Sequence, residues 1–434
     1  MVVAQVTVEE LPMTAVQSAL PPGADPRVHT RLLARVRAAA LSGGTPPAAP
    51  RPVIGASWRR LRGSGLDPSR TPDVALLDGA ALERRRAESG LAPLLPLLRE
   101  RLLPVARDAG QVLVVVDAGC RVLWREGGAE VRRRADRLGF VEGSCWDEDV
   151  VGTNAIGTSV VVRAPLQVHA AEHYAEGHQP WTCAAAPLRD PVTGRVLGVV
   201  DLSGPASTVH PSTIALVDAV AALAGQELLQ AHTRHVERLR TLAAPILARL
   251  TGPALVVGVD GCTAAATGLA APDRVALPEE VHAGPVWVPA LGRCTVEPLP
   301  GGWLLRPSGP ADDDRPAGLV LDLAGPRPQV QVTGASGSWT AGLSLRHAEI
   351  LLALTRHPAG RSAAALAADL FGDPTRTVTV RAEVSRLRRT LGSVLLTQPY
   401  RVDEDVAVEV RLPTPAARLL PASTAPLVER LRRG

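Results

Sequence analysis

Residues 183–204 read CAAAPLRDPVTGRVLGVVDLSG, and this stretch decides the fold class. Two apolar runs flank a turn from Asp190 to Gly194, in which Asp, Pro and Gly supply the conformations a reversal needs. The pattern is that of a β-hairpin. A second one lies upstream, in QVLVVVDAGCRVLW from Gln111 to Trp124, where β-branched residues stand on either side of Asp117-Ala118-Gly119-Cys120. Hairpins predict an antiparallel sheet, and the helical patterns around them predict an α+β protein with helices flanking that sheet.

Moving outward, residues 1–50 read as a flexible tail with one amphipathic stretch, HTRLLARVRAAAL, closed by the Pro/Gly/Ala-rich SGGTPPAAPRP. Residues 51–95 form a helical segment whose pattern runs on through LAPLLPLLRERLLPVARDAG, with leucines at helical spacing. The sheet-bearing domain is expected over 96–211. Residues 212–250 follow as one connecting helix, with Leu216, Val220, Leu223, Val236, Leu239 and Leu242 at three- and four-residue steps, able to pair with a second copy. Short strand patterns at 251–308 resemble a reduced PAS-like β unit. A Gly/Pro/Asp linker spans 309–316, a compact block 317–403, and 404–434 reads as a C-terminal tail.

The chain has 434 residues, enough for several domains, and its 46% apolar and 21% charged composition is that of folded protein. No lysine occurs and the net charge is only +4, so a nucleic-acid surface has to be local. It is local: between Leu343 and Val402 stand nine arginines against four acids. In that block Ser344 and Ser362 read as N-caps, with closing glycines at 360 and 372. A third helix, TVTVRAEVSRLRRTLG, puts Val380, Val384, Leu387 and Leu391 on one stripe and Ser385, Arg386 and Arg389 opposite. The hairpin SVLLTQPYRV follows.

Two strands, three helices, the run T-V-x-V-x-x-x-x-S-R-L-R-R-x-L and a hairpin ending in Tyr400-Arg401 resemble the winged helix-turn-helix DNA-binding domains of response regulators. That resemblance implies that the third helix enters the major groove and the wing touches the backbone, which assigns Arg381, Ser385, Arg386, Arg389 and Arg401 to double-stranded DNA.

From Gly139 to Gly204 the sequence resembles the GAF-containing sensor half of acetoin-catabolism regulators, a branch of the enhancer-binding activators. The matching elements are Trp146 with Glu148, the run Gly152 to Thr158, Glu172-His173-Tyr174, Trp181 with Cys183 and Pro187, and Gly198 to Gly204; Ile54 to Trp58 adds an upstream match. Those activators continue into an ATPase, whereas no G-x-x-x-x-G-K-[ST] loop occurs here. The resemblance implies a sensor whose Trp146, Glu148, Asn154, His173 and Trp181 line a small-molecule pocket; core packing explains the tryptophans as well.

Val151 to Thr158 reads as a helix start capped by Thr153 or Asn154 rather than a phosphate loop. His169, His173, His178 and Cys183 have spacings that zinc could use, but ordinary hydrogen-bonded residues account for them, so no metal or cofactor is expected. The five cysteines form no C-x-x-C pair and imply no disulfide framework. The longest apolar runs are too short to span a bilayer, and the N-terminus lacks a signal peptide's basic residues. The expectation is a cytoplasmic bacterial transcription regulator, not an enzyme, sensing an unknown effector as a homodimer without a membrane, with RNA polymerase as a further partner. The alternatives are a thiol-dependent GAF enzyme using Cys145 or Cys183, and an interaction adaptor that does not bind DNA.

Overall fold

The computed structural model describes residues 18–69, 74–278, 281–288, 291–308, 316–325, 327–334 and 337–433. They fall into two units that divide between Ala231 and His232.

In the first unit, helices α1 (Pro26–Ser42), α2 (Pro52–Ser64), α3 (Gly79–Glu88) and α4 (Leu95–Asp108) precede the hairpin β1 (Val112–Asp117) and β2 (Val122–Gly127). The short helices α5 (Ala129–Asp136), α6 (Glu148–Val151) and α7 (Ala155–Val162) come next, then β3 (Leu166–His169), β4 (Trp181–Arg189) and β5 (Val196–Pro205). The strands form one antiparallel sheet in the order β2-β1-β5-β4-β3.

Because strand side chains alternate between faces, β1 splits its residues. Leu113 and Val115 join Leu98 and Leu102 of α4 in one core, which also takes Ile214, Val217 and Val220. Val112, Val114 and Val116 face Ile54, Trp58 and Leu61 of α2 and the α5–α7 region. The sheet is therefore buried on both sides.

The supposed N-terminal tail is not one over its described residues. Asp25 caps α1, Val36 joins the core, and the buried Arg37 guanidinium donates to the carbonyl oxygens of His173 and Tyr174 at 3.3 and 2.6 Å. The leucine-rich pattern of residues 76–110 is also broken, by Gly90 in the left-handed region between α3 and α4.

A 37-residue helix, α8 (Pro211–Leu247), begins in the first unit. It is long and apolar enough to cross a membrane by length and composition, which the reading of short apolar runs did not anticipate. Its early apolar residues are committed to the core named above.

In the second unit, β6 (Ala254–Gly258), β7 (Thr263–Thr267), β8 (Gly284–Val288), β9 (Gly292–Leu299) and β10 (Gly302–Pro307) form an antiparallel sheet in the order β7-β6-β10-β9-β8. Leu239 and Ala243 of α8 cover one face through Val256 and Leu304. Then come β11 (Pro316–Asp322), β12 (Gln329–Gly334), β13 (Gly337–Gly342), helices α9 (Leu345–Arg356), α10 (Ala363–Phe371) and α11 (Thr377–Leu391), and the hairpin β14 (Leu395–Thr397) and β15 (Tyr400–Val402). Ser344 and Ser362 accept hydrogen bonds from the backbone of His347 and Ala365 as N-caps, and Gly372 closes α10 at φ 70°.

Residues 404–433 of the segment 404–434, expected as a tail, are structural. Strand β16 (Ala407–Arg411) pairs in parallel with β11, and Leu427 and Val428 of α12 (Pro426–Arg433) are buried in the same core as α9–α11. Both corrections have one cause: these pairings are made with residues far away in sequence, which local periodicity does not report.

Candidate functional site

A cleft lies between the first sheet and the helices on one of its faces. Its floor is built from alternate residues of adjacent strands: Trp181 and Cys183 on β4, Asp201 and Ser203 on β5, with Cys183 directly opposite Ser203. Its roof is Phe140, Trp146 and the start of α7, and His173 and His178 close it from the β3–β4 connection. The cleft is narrow, with a cavity volume of about 20 Å³. That is room for about one water, so a larger occupant has to displace side chains.

The roof is held by stacking. Trp146 lies 4.2 Å from the Phe140 ring and 5.0 Å from His178, centroid to centroid, and its indole N–H donates to Ser144 Oγ at 3.0 Å. Asn154 caps α7: its Oδ1 accepts from Gly157 N at 2.9 Å, and its Nδ2 donates to the carbonyls of Gly152 and Trp146. Gly157 is required here, since a Cβ would stand 2.4 Å from the Glu148 nitrogen. Asn154 thus lines the cleft with its polar atoms already engaged, and so does the Trp146 indole.

Of the residues expected to form the pocket, the structure gathers Trp146, Asn154, His173 and Trp181. It does not place Glu148 among the lining residues. That side chain is 2% exposed and takes hydrogen bonds from Arg60 of α2 at 2.6 and 3.1 Å, a structural ion pair. The sequence reading missed Asp201 and Ser203 as pocket residues, weighed His178 only as a metal donor, and weighed Cys183 as a metal donor or a reactive thiol. A carboxylate inside the apolar strand VLGVVDLSG was the available signal, because a buried charge there needs a reason.

Asp201 is fully buried. Its Oδ2 accepts from Ser203 Oγ at 2.5 Å, and its Oδ1 has no hydrogen-bond partner among the described residues; the same holds for His178 Nδ1. Burial pushes the Asp201 carboxyl up to about 7, while burial lowers His178 to about 4 and, with the neighbouring His178 charge, His173 to about 3. The Cys183 thiol is pushed well above its usual range, chiefly by burial. Near neutral pH the site holds neutral imidazoles, a neutral thiol and a carboxyl close to its midpoint. A raised thiol is the opposite of an activated nucleophile.

In the second unit, Val380, Val384, Leu387 and Leu391 of α11 are buried as the spacing predicts, and Arg381, Ser385, Arg386 and Arg389 are exposed. Arg386 is paired with Glu383 at 2.5 Å and remains 57% exposed. Arg401 lies on β15, half-buried, 3.6 Å from Glu404.

Residues 33–226 match the family profile described as the MimR N-terminal domain. The chain is 30% identical over 361 residues to an uncharacterized 47.3 kDa protein in the thcA 5′ region of Rhodococcus erythropolis, covering 83% of this chain and 65% of that one. It is 33% identical over 177 residues to the acetoin dehydrogenase operon transcriptional activator AcoR of Bacillus subtilis, covering 40% and 29%. It is 31% identical over 202 residues to the propane 2-monooxygenase operon transcriptional activator MimR of Mycolicibacterium goodii, covering 46% and 32%. The chain thus spans just under two thirds of the first of these relatives and about a third of the other two. The second and third are named transcriptional activators, and residues 33–226, which the family profile matches, contain the cleft.

Proposed function

We propose that the chain is a transcription regulator that binds a small uncharged polar effector in a GAF-type sensor domain over 96–211 and answers through a winged helix over 317–403. The observation that carries the reading is the exposed row of Arg381, Ser385 and Arg389 on a helix whose opposite stripe is wholly buried. Such a helix offers cations and a hydroxyl to a groove while its base stays rigid. In this reading Arg386 exchanges its pairing with Glu383 for a base or phosphate, and Arg401 on the wing touches the backbone. The segment 251–308 is a PAS-like spacer, the expected linker that follows it at 309–315 lies outside the described residues, and α8 pairs with its copy in a cytoplasmic homodimer. RNA polymerase is a further partner.

The effector reading rests on Asp201 and His178, each with an unused polar atom in the lining of the cleft under Trp146. A neutral molecule suits them, since an anion would face the carboxylate and a cation has no wholly ionised partner. The effector acts on DNA only if it binds one arrangement of α8 better than another, a coupling of about 1–3 kcal/mol.

The test is selection of bound genomic fragments by the full chain, with and without cell extract. Arg386→Ala or Arg389→Ala is expected to cost about 1–3 kcal/mol at the selected operator where the side chain reads a guanine edge. Asp201→Asn is expected to keep operator binding and lose the response to extract. Operator affinity and base preference unchanged in the double arginine variant would remove the groove assignment.

A further inference from the structure

The second unit brings three potential metal donors together from two elements, with a further histidine close by in sequence. Helix α8 supplies His232 and His235, three residues apart and hence on one side of the helix. The turn between β6 and β7 supplies Asp260 and Cys262. Gly261 between them sits at φ 80°, and a Cβ there would stand 2.0 Å from the carbonyl oxygen of Val275, so only glycine makes this turn. Asp260 Oδ1 accepts from the Cys262 backbone N–H at 3.0 Å, which fixes the carboxylate, and its Oδ2 lies 3.5 Å from His232 Nδ1.

A nitrogen of His232, a carboxylate oxygen of Asp260 and the sulfur of Cys262 all lie within 4.8 Å of one another. Zinc bonds of about 2.0–2.3 Å place tetrahedral ligands roughly 3.3–3.8 Å apart, so the His232–Asp260 pair already has the right separation and the sulfur needs a small rotation. His235, three residues further along α8, stands outside that group. Its Nε2 is buried without a hydrogen-bond partner among the described residues, and a Cβ on Gly258 would stand 3.5 Å from that nitrogen and 2.7 Å from Asp260 Oδ1. The bare backbone at 258 leaves room for both side chains. His232 and Asp260 are 23% and 33% exposed, which gives an ion a way in, while Cys262 is buried.

We propose that His232, Asp260 and Cys262 form a zinc-binding site. Nitrogen, oxygen and sulfur together select a borderline ion such as Zn²⁺ over the oxygen-seeking Mg²⁺ and Ca²⁺. On binding, the Cys262 S–H bond breaks, its proton leaves to solvent and a zinc–sulfur bond forms, so affinity rises with pH. The bound ion ties α8 to the β6–β7 turn.

The experiment strips the full chain with a chelator and titrates it with Co²⁺, read by absorption, and then with Zn²⁺ as competitor. The expected result is one Co²⁺ per chain with a thiolate-to-cobalt charge-transfer band, displaced by Zn²⁺. Cys262→Ser should abolish that band. His232→Ala, at a partly exposed position that folding tolerates, should weaken binding by at least about tenfold, since loss of even an outer partner of a metal ligand costs that much. Asp260→Asn, which keeps the turn's acceptor oxygen and loses its charge, should weaken it too. No stoichiometric binding, equal affinity in His232→Ala, or a charge-transfer band that survives Cys262→Ser would each overturn the site.

Discussion

The two five-stranded sheets have the same strand order: in each, the first and fifth strands are central, the second lies outside the first, and the fourth and third follow the fifth. Each also opens with a hairpin whose turn contains Asp, Gly and Cys, at Asp117-Ala118-Gly119-Cys120 and at Asp260-Gly261-Cys262. What differs is the segment between the second and third strands. In the first unit it forms α5–α7 and roofs a cleft; in the second, residues 268–283 contribute no helix among those described. One strand order thus takes two forms according to what is inserted in it. The turns follow suit: Asp117 is paired with Arg85 at 2.6 Å above a wholly buried Cys120, whereas Asp260 faces a histidine.

If the roof is what distinguishes the first sheet, removing its central ring has the largest effect. Trp146→Ala deletes the contacts to Phe140 and His178 at a nearly buried position. We expect a loss of about 3–5 kcal/mol, seen in denaturant unfolding of the full chain and as faster hydrogen exchange of β4 and β5 amides, with β6–β10 unchanged. A loss below about 1 kcal/mol would mean that the roof is dispensable to its sheet.

Acid sharpens the contrast next. His169 and His178 are lowered to about 4 and His173 to about 3, chiefly by burial, against 6.5 when unfolded. The unfolded chain therefore binds more protons, and the stability due to these groups is present above pH 6.5 and lost as pH falls toward 4. Asp201, raised to about 7 from 3.8, opposes them, because the folded state holds its proton in that window. At pH 5 the three histidines less the one carboxyl give an uptake of about two protons on unfolding, and Asp201→Asn raises it to about three. The pH dependence of denaturant midpoints measures this; a stability flat from pH 6.5 to 4.5 would contradict the buried neutral imidazoles.

Smaller and strictly local effects are expected from a matched pair of glycine substitutions. Gly157→Ala drives a methyl into the backbone at Trp146–Glu148, and Gly261→Ala drives one into Val275 at a left-handed φ. Each should cost about 1–3 kcal/mol. Exchange should quicken only around α6–α7 in the first variant and only around β6–β7 in the second, and crossed effects would show that the two sheets do not act separately.

How much of this was legible depended on whether the deciding partner was near in sequence. Ser344, Ser362, Gly372, Asn154 and the Val380–Leu391 stripe act through neighbours three or four residues away, and their roles read directly. Strand β16 gave only a weak alternation because its partner β11 lies some ninety residues back in the chain. Glu148 looked like a pocket residue because its counter-ion, Arg60, is on a different helix. Asp201 went unnoticed inside an apolar run whose pattern it barely disturbs, and β13 offered one buried ring, Trp339, between two glycines.

The smallest effect concerns the surface of the second sheet. Arg306 on β10 and Glu297 on β9 form a cross-strand ion pair with both side chains 44% exposed, and the strands are already joined by a continuous antiparallel ladder. Water screens such a pair, and fixing two long side chains costs entropy, so Arg306→Ala should change stability by no more than about 0.5 kcal/mol. Arg60→Ala in the first unit is the sharper control, because it strips the counter-ion from a carboxylate that is 2% exposed and leaves a buried charge unpaired. The difference between the two variants, measured by denaturant midpoints at low and high salt, tests whether the first sheet depends on its buried polar ties while the second relies on its ladder. Equal losses, or a salt-insensitive loss at Arg306, would break that distinction.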